Sequence, residues 1–177
     1  MTIHTVRPAT IEQIPELVQL INTAYHPEQK CKAWTNEKRF VAGSRTDTQS
    51  LTALLHKEKS VVLVGLQEAS IVACVHLEAH AHTVHLGLLA VQPDKQAAGL
   101  GSQMLRHAQD YAQSHFQARY IELLAISLRE ELIAFYQRRG YQLTDKRIAY
   151  ALLCGETCDA KIDGLTFAVM QKALPCH

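Results

Sequence analysis

Residues 86–105 constrain the fold of this chain more than any other stretch. Residues 86–91 are an apolar run with the length and composition of a buried strand. Pro93 ends this strand, because proline has no N–H group to donate to a neighbouring strand. Gly99 and Gly101 follow, and apolar residues then recur at helical spacing. The stretch therefore predicts a strand, a glycine-bearing turn and the start of a helix.

The predicted turn has the properties of an anion-binding site. The first turn of a helix leaves backbone N–H groups without partners, and the helix dipole adds positive charge there. Glycines let an anionic group approach this backbone closely, so the turn predicts a phosphate cradle. The motif alone is a weak indication, since helix packing also explains many Gly-x-Gly pairs. The lysine of a Walker loop is missing, and the spacing differs from the Rossmann fingerprint.

Length and composition indicate one domain over residues 1–177. The net charge of +1, with no basic run, gives no reason to expect nucleic acid or a membrane as partner. The first residues lack the apolar core of a secretory signal, and no apolar stretch approaches the ~20 residues that span a bilayer. The five cysteines lack a disulfide-framework spacing. Reduced thiols in a cytoplasmic protein are the simplest interpretation.

Hydrophobic periodicity predicts an α+β domain with a mixed sheet. Strands are predicted at residues 3–6, 60–66, 70–78, 83–91, 119–127, 141–144 and 164–171. Helices are predicted at residues 15–25, 36–42 and 130–138, after a capping box of Thr46 and Gln49 through residue 57, and from residue 100 onwards. Short links make the three strands between residues 60 and 91 antiparallel neighbours. The helix between strands 83–91 and 119–127 makes that pair parallel. Residues 145–163 have no pattern that assigns them to an element.

A second motif, Arg129-Glu-Glu-Leu-Ile-Ala-Phe-Tyr-Gln-Arg-Arg-Gly-Tyr141, changes the interpretation of the first. Together with Val91-x-Pro and Gln96-x-x-Gly-x-Gly, it resembles the GNAT superfamily of acyl-CoA-dependent N-acyltransferases, over roughly residues 61–144. Within it, the pattern is similar to a subgroup with Arg-x-Glu-Leu-Ile-x-Phe-Tyr. The resemblance implies an α/β sandwich in which about four helices flank a seven-stranded, mostly antiparallel sheet with a central splayed parallel pair.

The resemblance also implies acetyl-CoA as co-substrate. Its pantetheine arm would lie between strands 86–91 and 119–127, held by unpaired backbone groups at Leu89 and Val91. Its pyrophosphate would lie on the amides of residues 96–102. Many family members have asparagine where this chain has Ser127 or Arg129, and Arg129 could instead pair with Glu130 or Asp145. The residues expected at the co-substrate are Leu89, Ala90, Val91, Gln96, Ala97, Ala98, Gly99, Leu100, Gly101, Ser102, Ser127, Arg129 and Phe135.

Tyr136 lies where the family has its general acid, and a phenol there can protonate a departing thiolate. The alternative for Tyr136 is a core tyrosine beside Phe135. Glu78 is the candidate base because it lies near the end of the strand before the cofactor strand. His76 and His85 are alternatives, and a strand-end glutamate is also often a solvated surface group.

The segment between the first two helices would cover the acceptor pocket in this family. Tyr25, Trp34 and Arg45 are therefore candidates for acceptor binding. Arg45 can hold a substrate carboxylate through two hydrogen bonds, or it can pair with Asp47 or Glu37 and hold the loop.

No metal is expected. Four histidines crowd the hairpin at residues 76–85, but a turn breaks their alternation and no cysteine completes a zinc-ligand spacing. The expected reaction transfers acetyl from acetyl-CoA to a primary amine of a small molecule. The alternatives are a protein N-terminal or lysine acetyltransferase and a non-catalytic acyl-CoA-binding module. A free sheet edge near the C-terminal strands would allow a homodimer.

Overall fold

The computed structural model describes residues 1–26, 36–154 and 159–175. Its strands are β1 (Thr5–Pro8), β2 (Ser60–Gln67), β3 (Ser70–His80), β4 (Thr83–Val91), β5 (Tyr120–Ile126), β6 (Gln142–Ala149) and β7 (Thr166–Ala173). Its α-helices are α1 (Ile14–Tyr25), α2 (Thr48–His56), α3 (Leu100–Phe116), α4 (Glu130–Gln137) and α5 (Tyr150–Cys154). Two short 3-10 helices cover Ile11–Gln13 and Pro93–Lys95.

The seven strands form one sheet in the order β1-β2-β3-β4-β5-β7-β6. Every neighbouring pair is antiparallel except β4 and β5, which are parallel. The predicted mixed, mostly antiparallel sheet with one parallel pair is confirmed. After β6 the chain returns to place β7 between β5 and β6, so β1 and β6 are the edge strands.

Helices cover both faces of the sheet, because each strand of its centre is apolar on both sides. On one face, Leu17 and Ile21 of α1 and Leu51 of α2 join a core with Val62 and Val64 of β2. On the opposite face, α3 and α4 pack on a second core, which includes Leu100, Met104, Leu105, Val75, Leu77, Val84, Leu86 and Leu132. The arrangement is an α/β sandwich.

The parallel pair separates soon after it forms. β4 and β5 pair only from Thr83↔Tyr120 to Leu86↔Leu123. Beyond this point β4 has a bulge, because two residues lie opposite one between the pairs His76↔Gly87 and Cys74↔Ala90. β5 stays bonded to β7 on its other side as far as Ile126. A wedge therefore opens between β4 and β5 near the middle of the sheet.

The segment before α2 differs from the prediction. The expected helix at residues 36–42 is wrong: a turn lies there, followed by a single bridge between Val41 and Ala160. Phe40 and Val41 are buried in a small separate core with Ile126 and Leu165. Their apolar character therefore reflects tertiary burial rather than a helical face.

Three element boundaries also differ from the prediction. The N-cap of α2 is Asp47, whose carboxylate accepts a hydrogen bond from the Ser50 amide at 2.7 Å, and not Thr46. β1 is shifted to Thr5–Pro8 from the predicted 3–6, since an edge strand tolerates proline. The unassigned residues 145–163 contain the end of β6 and α5.

Replacement of Gln117 by glycine is expected to stabilise the protein. Gln117 ends α3 in the left-handed conformation (φ +53°), is exposed, and donates its backbone N–H to the Gln113 carbonyl at 3.1 Å. Glycine adopts this conformation without the steric cost of a Cβ. We expect Gln117→Gly to raise the free energy of unfolding by about 1 kcal/mol in chemical denaturation. Gln117→Ala is the control, and equal stability of the two variants would contradict this account.

Candidate active site

The wedge between β4 and β5 opens into a cavity of about 1270 Å³. Residues of β4, β5, α3 and α4 form its walls, together with charged residues from the loop between α1 and α2. The cavity extends from the glycine turn before α3 to the side of the sheet covered by α1. It therefore has two ends with different chemistry, called here the glycine end and the loop end.

At the glycine end the backbone forms a tight turn. Ala97 and Gly99 both have positive φ, +64° and +82°, and Gly99 is the N-cap of α3 without any side-chain cap. A Cβ added at Gly99 would meet nothing within 4 Å, so the space beside the turn is open. The amides of Leu100 and Gly101 precede the first hydrogen bonds of α3, in which the Ser102 and Gln103 amides donate to the Gly99 carbonyl at 3.1 Å. This backbone fits the predicted phosphate cradle.

Arg139 brings a positive charge to the same end, and sequence reasoning missed it. Its guanidinium donates hydrogen bonds to Ser102 Oγ at 2.9 and 2.6 Å and to the Phe135 carbonyl at 2.6 Å. It also lies 3.4 Å from the centre of the Phe135 ring. The residue stands directly before the motif's Gly140, where a basic side chain is usually taken to complement a helix C-terminus.

Tyr136 lies where the wedge is narrow. Its ring packs edge-on against Phe135 and Tyr141, at 5.2 and 5.6 Å between ring centres, and the residue lines the cavity. Its hydroxyl has no hydrogen-bond partner in the part of the chain that the structure describes. Burial raises the pKa of Tyr136 well above its ordinary value. The phenol therefore keeps its proton at neutral pH and is available to donate it.

Tyr25 connects α1 to the bulge of β4. Its buried hydroxyl donates a hydrogen bond to the Leu89 carbonyl at 3.1 Å. The sequence predicted unpaired backbone groups at Leu89 and Val91, and for both carbonyls this is wrong. Tyr25 bonds to the Leu89 carbonyl, and the Gln96 side chain donates to the Val91 carbonyl at 3.1 Å. The bond fixes the position of the β4 wall relative to α1.

Glu37 is a second site residue that sequence reasoning treated only as a partner for Arg45. It lines the cavity, and its backbone amide donates to the Tyr25 carbonyl at 2.8 Å. Its carboxylate forms no hydrogen bond or ion pair with any residue in the described ranges. Burial raises the pKa of Glu37, and the positive charges of Arg45 and Arg129 oppose this shift without cancelling it.

Arg45 also lines the loop end of the cavity. Its guanidinium lies 5.2 Å from the centre of the Tyr25 ring, and its backbone amide donates to Asn22 Oδ1 at 2.8 Å. Neither of the ion pairs considered for it, with Asp47 or Glu37, is present among the described residues.

Arg129 is the N-cap residue of α4 and is only 2% exposed. Its Nε donates to a carboxylate oxygen of Glu131 at 2.9 Å, so the partner is neither of those considered for it, Glu130 and Asp145. Arg129 lines the cavity between Tyr136 and Glu37 and interacts electrostatically with both.

Glu78 lines the side of the cavity formed by the sheet, called here the cavity floor, and its carboxylate lies beside two basic side chains. Its carboxylate contacts Lys57 Nζ at 2.7 Å and His80 Nε2 at 2.6 Å. These contacts, led by the Lys57 hydrogen bond, lower the pKa of Glu78. The carboxylate is thus a weaker proton acceptor than an isolated glutamate would be. His85 lies 3.6 Å from Glu122 on the same floor.

Most of the predicted site residues line the cavity, but a few do not. The residues expected at the co-substrate that line the cavity include Leu89, Val91, Gln96, Ala97, Leu100, Gly101, Ser102 and Phe135. Ala90, Ala98 and Ser127 are not, and the Ser127 hydroxyl accepts a hydrogen bond from Thr166 at 2.9 Å. Trp34 lies outside the described residues.

Two further observations concern the described residues only. Within them, no three His, Cys, Asp or Glu side chains are placed to share a metal ion. None of their helices combines the length and the apolar character required to cross a membrane.

Comparison with known proteins agrees with this geometry. The sequence model of the family described as Acetyltransferase (GNAT) domain matches residues 58–143, slightly less than half of the chain. This segment contains β2 to α4 and thus both motifs. No curated protein matches the chain.

Solved structures match almost the whole chain at low identity. The smu.2055 protein of Streptococcus mutans UA159 aligns with a TM-score of 0.71 and 16% identity, over 97% of this chain and 99% of its own. The ribosomal-protein-S18-alanine N-acetyltransferase of Escherichia coli gives 0.70 and 16%, over 98% and 95%. A GNAT family acetyltransferase of Elizabethkingia anophelis with acetyl-CoA bound gives 0.68 and 15%, over 96% and 97%. The chain therefore has the GNAT fold, as predicted.

The burial of His76 predicts a loss of stability in acid. His76 lies in the sheet with its Nε2 2.9 Å from Ser60 Oγ, and burial lowers its pKa from 6.5 to about 4. The unfolded chain therefore takes up a proton below pH 6.5 that the folded protein refuses until about pH 4. We expect the free energy of unfolding to fall by roughly 1–3 kcal/mol over this window.

Denaturation of wild type and His76→Gln across pH 4–7 measures this contribution. The variant keeps a side chain that can bond to Ser60 but cannot titrate, so its stability should vary less with pH. His56→Gln, which removes an exposed histidine of α2, is the control. An identical pH dependence of wild type and His76→Gln would refute the assignment.

Proposed function

We propose that the protein is an acyltransferase that transfers the acetyl group of acetyl-CoA directly to a primary amine of a small molecule. One observation carries the proposal: Tyr136, whose hydroxyl has no hydrogen-bond partner among the described residues, lines the cavity that opens between β4 and β5 and reaches the glycine turn. The family match over residues 58–143 supports it.

The residues present fit acetyl-CoA as donor. Its thioester supplies an electrophilic carbonyl carbon and a thiolate leaving group. The edge of β4 beyond Leu86, which has no partner strand on the β5 side, would bond to the pantetheine amides as a neighbouring strand does. The amides that begin α3 and the Arg139 guanidinium would hold the pyrophosphate.

Tyr136 would act as the general acid. As the amine nitrogen bonds to the acetyl carbon, the C–S bond breaks and the sulfur needs a proton, which the phenol provides. The phenol carries its proton before transfer, and the burial that raises its pKa also favours rapid recovery of that proton afterwards. A non-catalytic copy would be expected to lose this tyrosine, and the chain retains it at the cavity, which is why the enzyme is favoured over that alternative.

The base proposed from the sequence was Glu78, but the geometry supports it less well. Its carboxylate is already engaged by Lys57 and His80, and its pKa is lowered. The Glu37 carboxylate has no ion-pair partner among the described residues, its pKa is raised, and it interacts electrostatically with Tyr136.

The acceptor proposed is small because charged side chains of two segments line the loop end of the cavity, Glu37 and Arg45 of the loop between α1 and α2 and Arg129 at the start of α4. A protein amine is the alternative. The E. coli relative is named for an alanine of ribosomal protein S18. A panel of small amines and peptides assayed for thiol release with acetyl-CoA separates the two.

Removal of the Tyr136 hydroxyl is expected to lower turnover without weakening donor binding. In Tyr136→Phe the ring contacts with Phe135 and Tyr141 are preserved, so kcat should fall by roughly 10²-fold while the acetyl-CoA Kd stays near that of wild type. Thiol release and calorimetry measure the two quantities. Tyr141→Phe, which removes a neighbouring hydroxyl outside the cavity lining, is the control. Wild-type kcat in Tyr136→Phe would exclude this residue as the acid.

A negative charge in the glycine turn is expected to weaken acetyl-CoA binding. Gly99→Asp places a carboxylate where the pyrophosphate would lie, and we expect the Kd to rise about tenfold or more, corresponding to roughly 1–2 kcal/mol. Gly99→Asn is the matched control, because asparagine has the same size, tolerates positive φ and carries no charge. Equal Kd values for the two variants would mean that no phosphate lies at this turn.

A further inference from the structure

We infer that the acceptor is an amino carboxylate, a small molecule with both an amine and a carboxylate, and that Glu37 receives its ammonium group while Arg45 holds its carboxylate. The inference rests on the proposed function, because it concerns the acceptor of that reaction. It goes beyond it by assigning the chemical class of the acceptor and two residues that recognise it.

Tyr25 holds both recognition groups in fixed positions relative to the wedge. Its carbonyl accepts the Glu37 amide at 2.8 Å, its ring lies under the Arg45 guanidinium at 5.2 Å, and its hydroxyl bonds to Leu89 at 3.1 Å. One buried residue therefore contacts the Glu37 backbone through its carbonyl, and the Arg45 guanidinium and the β4 wall through its side chain. An acceptor that binds to Glu37 and Arg45 would therefore lie beside the β4 wall of the wedge.

The Glu37 carboxylate is suited to an ammonium group. It faces the cavity and has no hydrogen bond or ion pair with any residue that the structure describes. Burial raises its pKa although Arg45 and Arg129 act in the opposite direction. A cation from outside the protein would thus supply the partner that this carboxylate lacks, and a carboxylate of raised pKa is a stronger base.

The Arg45 guanidinium is suited to an anion beside that ammonium group. It lies at the cavity with its backbone anchored to Asn22 and its charge on the Tyr25 ring, and no carboxylate of the described residues is within ion-pair distance. A planar guanidinium holds a carboxylate through two parallel hydrogen bonds. The nearby Arg129 adds a second positive charge at the same end.

The charges argue against a polyamine. A molecule with several ammonium groups would meet the Arg45 guanidinium beside Glu37, and like charges repel. The two other carboxylates on the cavity floor, Glu78 and Glu122, already have basic neighbours in Lys57, His80 and His85. A molecule with one positive and one negative group matches the loop end of the cavity.

The reaction step balances with these residues. Glu37 takes one proton from the ammonium group, which frees the nitrogen lone pair. The nitrogen bonds to the acetyl carbon, the C–S bond breaks, and Tyr136 donates its proton to the sulfur. The second proton of the attacking nitrogen passes to solvent, and Tyr136 and Glu37 recover their starting protonation by exchange with solvent.

Matched ligands test the inference by binding and by turnover. Each standard L-amino acid is titrated calorimetrically into the full-length protein with coenzyme A, beside its carboxamide and its decarboxylated amine. We expect the best amino acid to bind at least about tenfold more tightly than its two analogues, a factor typical of one charged contact. Arg45→Ala should abolish this preference and leave amine binding unchanged. Arg39→Ala should keep it, since Arg39 stacks on Phe40 in the same loop but does not line the cavity.

Glu37→Gln tests the amine end. We expect it to lower kcat by at least tenfold with every acceptor, the magnitude of general-base catalysis, at an unchanged acetyl-CoA Kd. The groups around Glu37 are Tyr25, Tyr136, Arg45 and Arg129. Burial raises the pKa of Glu37 more than the two arginines lower it, so the activity of wild type should decline in acid at a higher pH than it would with an ordinary glutamate. Glu58→Gln, an exposed site outside the cavity lining, is the control.

Two results would overturn the inference: amides or amines that bind as tightly as the amino acids, or an Arg45→Ala variant that keeps the preference. Selective binding without thiol release for any acceptor would leave the ligand class supported and would refute the proposed acetyl transfer. Thiol release with amines and peptides but no carboxylate preference would support the transfer and refute the inference.

Discussion

The site depends on one constraint, the loss of backbone pairing between β4 and β5 after Leu86↔Leu123. A sheet that continued to pair would have no opening through its centre, and the two helical layers would enclose a solid core. The separation needs a bulge in β4, and the bulge places Leu88 at a φ of +49°, which is unfavourable for a leucine. Burial of Leu88 and the bond from Tyr25 to Leu89 oppose this cost.

Desolvation is the second cause that recurs through the site. It raises the pKa of Tyr25, Tyr136 and Glu37, and it lowers the pKa of His76. In each case burial favours the neutral form, so the two tyrosines and the glutamate bind their protons more tightly and His76 binds its proton less tightly. The cavity thus contains a phenol that remains protonated and a carboxylate that takes a proton readily, close enough to interact. These are complementary requirements for amine acylation.

The elements that the sequence predicted correctly are those with local causes. Strands β2 to β5 follow from apolar runs between turns, and the glycine turn follows from Gly99, whose φ of +82° a β-carbon disfavours. The loop end of the cavity has no such local signal. Glu37 belongs to residues 36–42, for which a short helix was predicted, whereas Phe40 of that segment is buried against Ile126, far away in the chain. Arg45 was a candidate only through the family resemblance. Lys57, at the end of α2, forms an ion pair with Glu78 of β3, and the two residues meet only because β3 folds back beside β2.

Helix α4 extends between the two ends of the cavity, so the single motif Arg129–Tyr141 contributes residues to both ends. Arg129 precedes its first turn, Tyr136 lies seven residues later on the same face, and Arg139 follows after the helix ends at Gln137. The eight residues of α4 extend about 12 Å, so Arg129 and Arg139, which bonds to Ser102 of α3, lie at opposite ends of the helix. Tyr136 lies between them in the chain, where an acid proposed to act between donor and acceptor would be needed. A shift of α4 against β4 would therefore change donor binding, proton donation and acceptor recognition together, and the Arg139 bonds to Ser102 of α3 oppose such a shift.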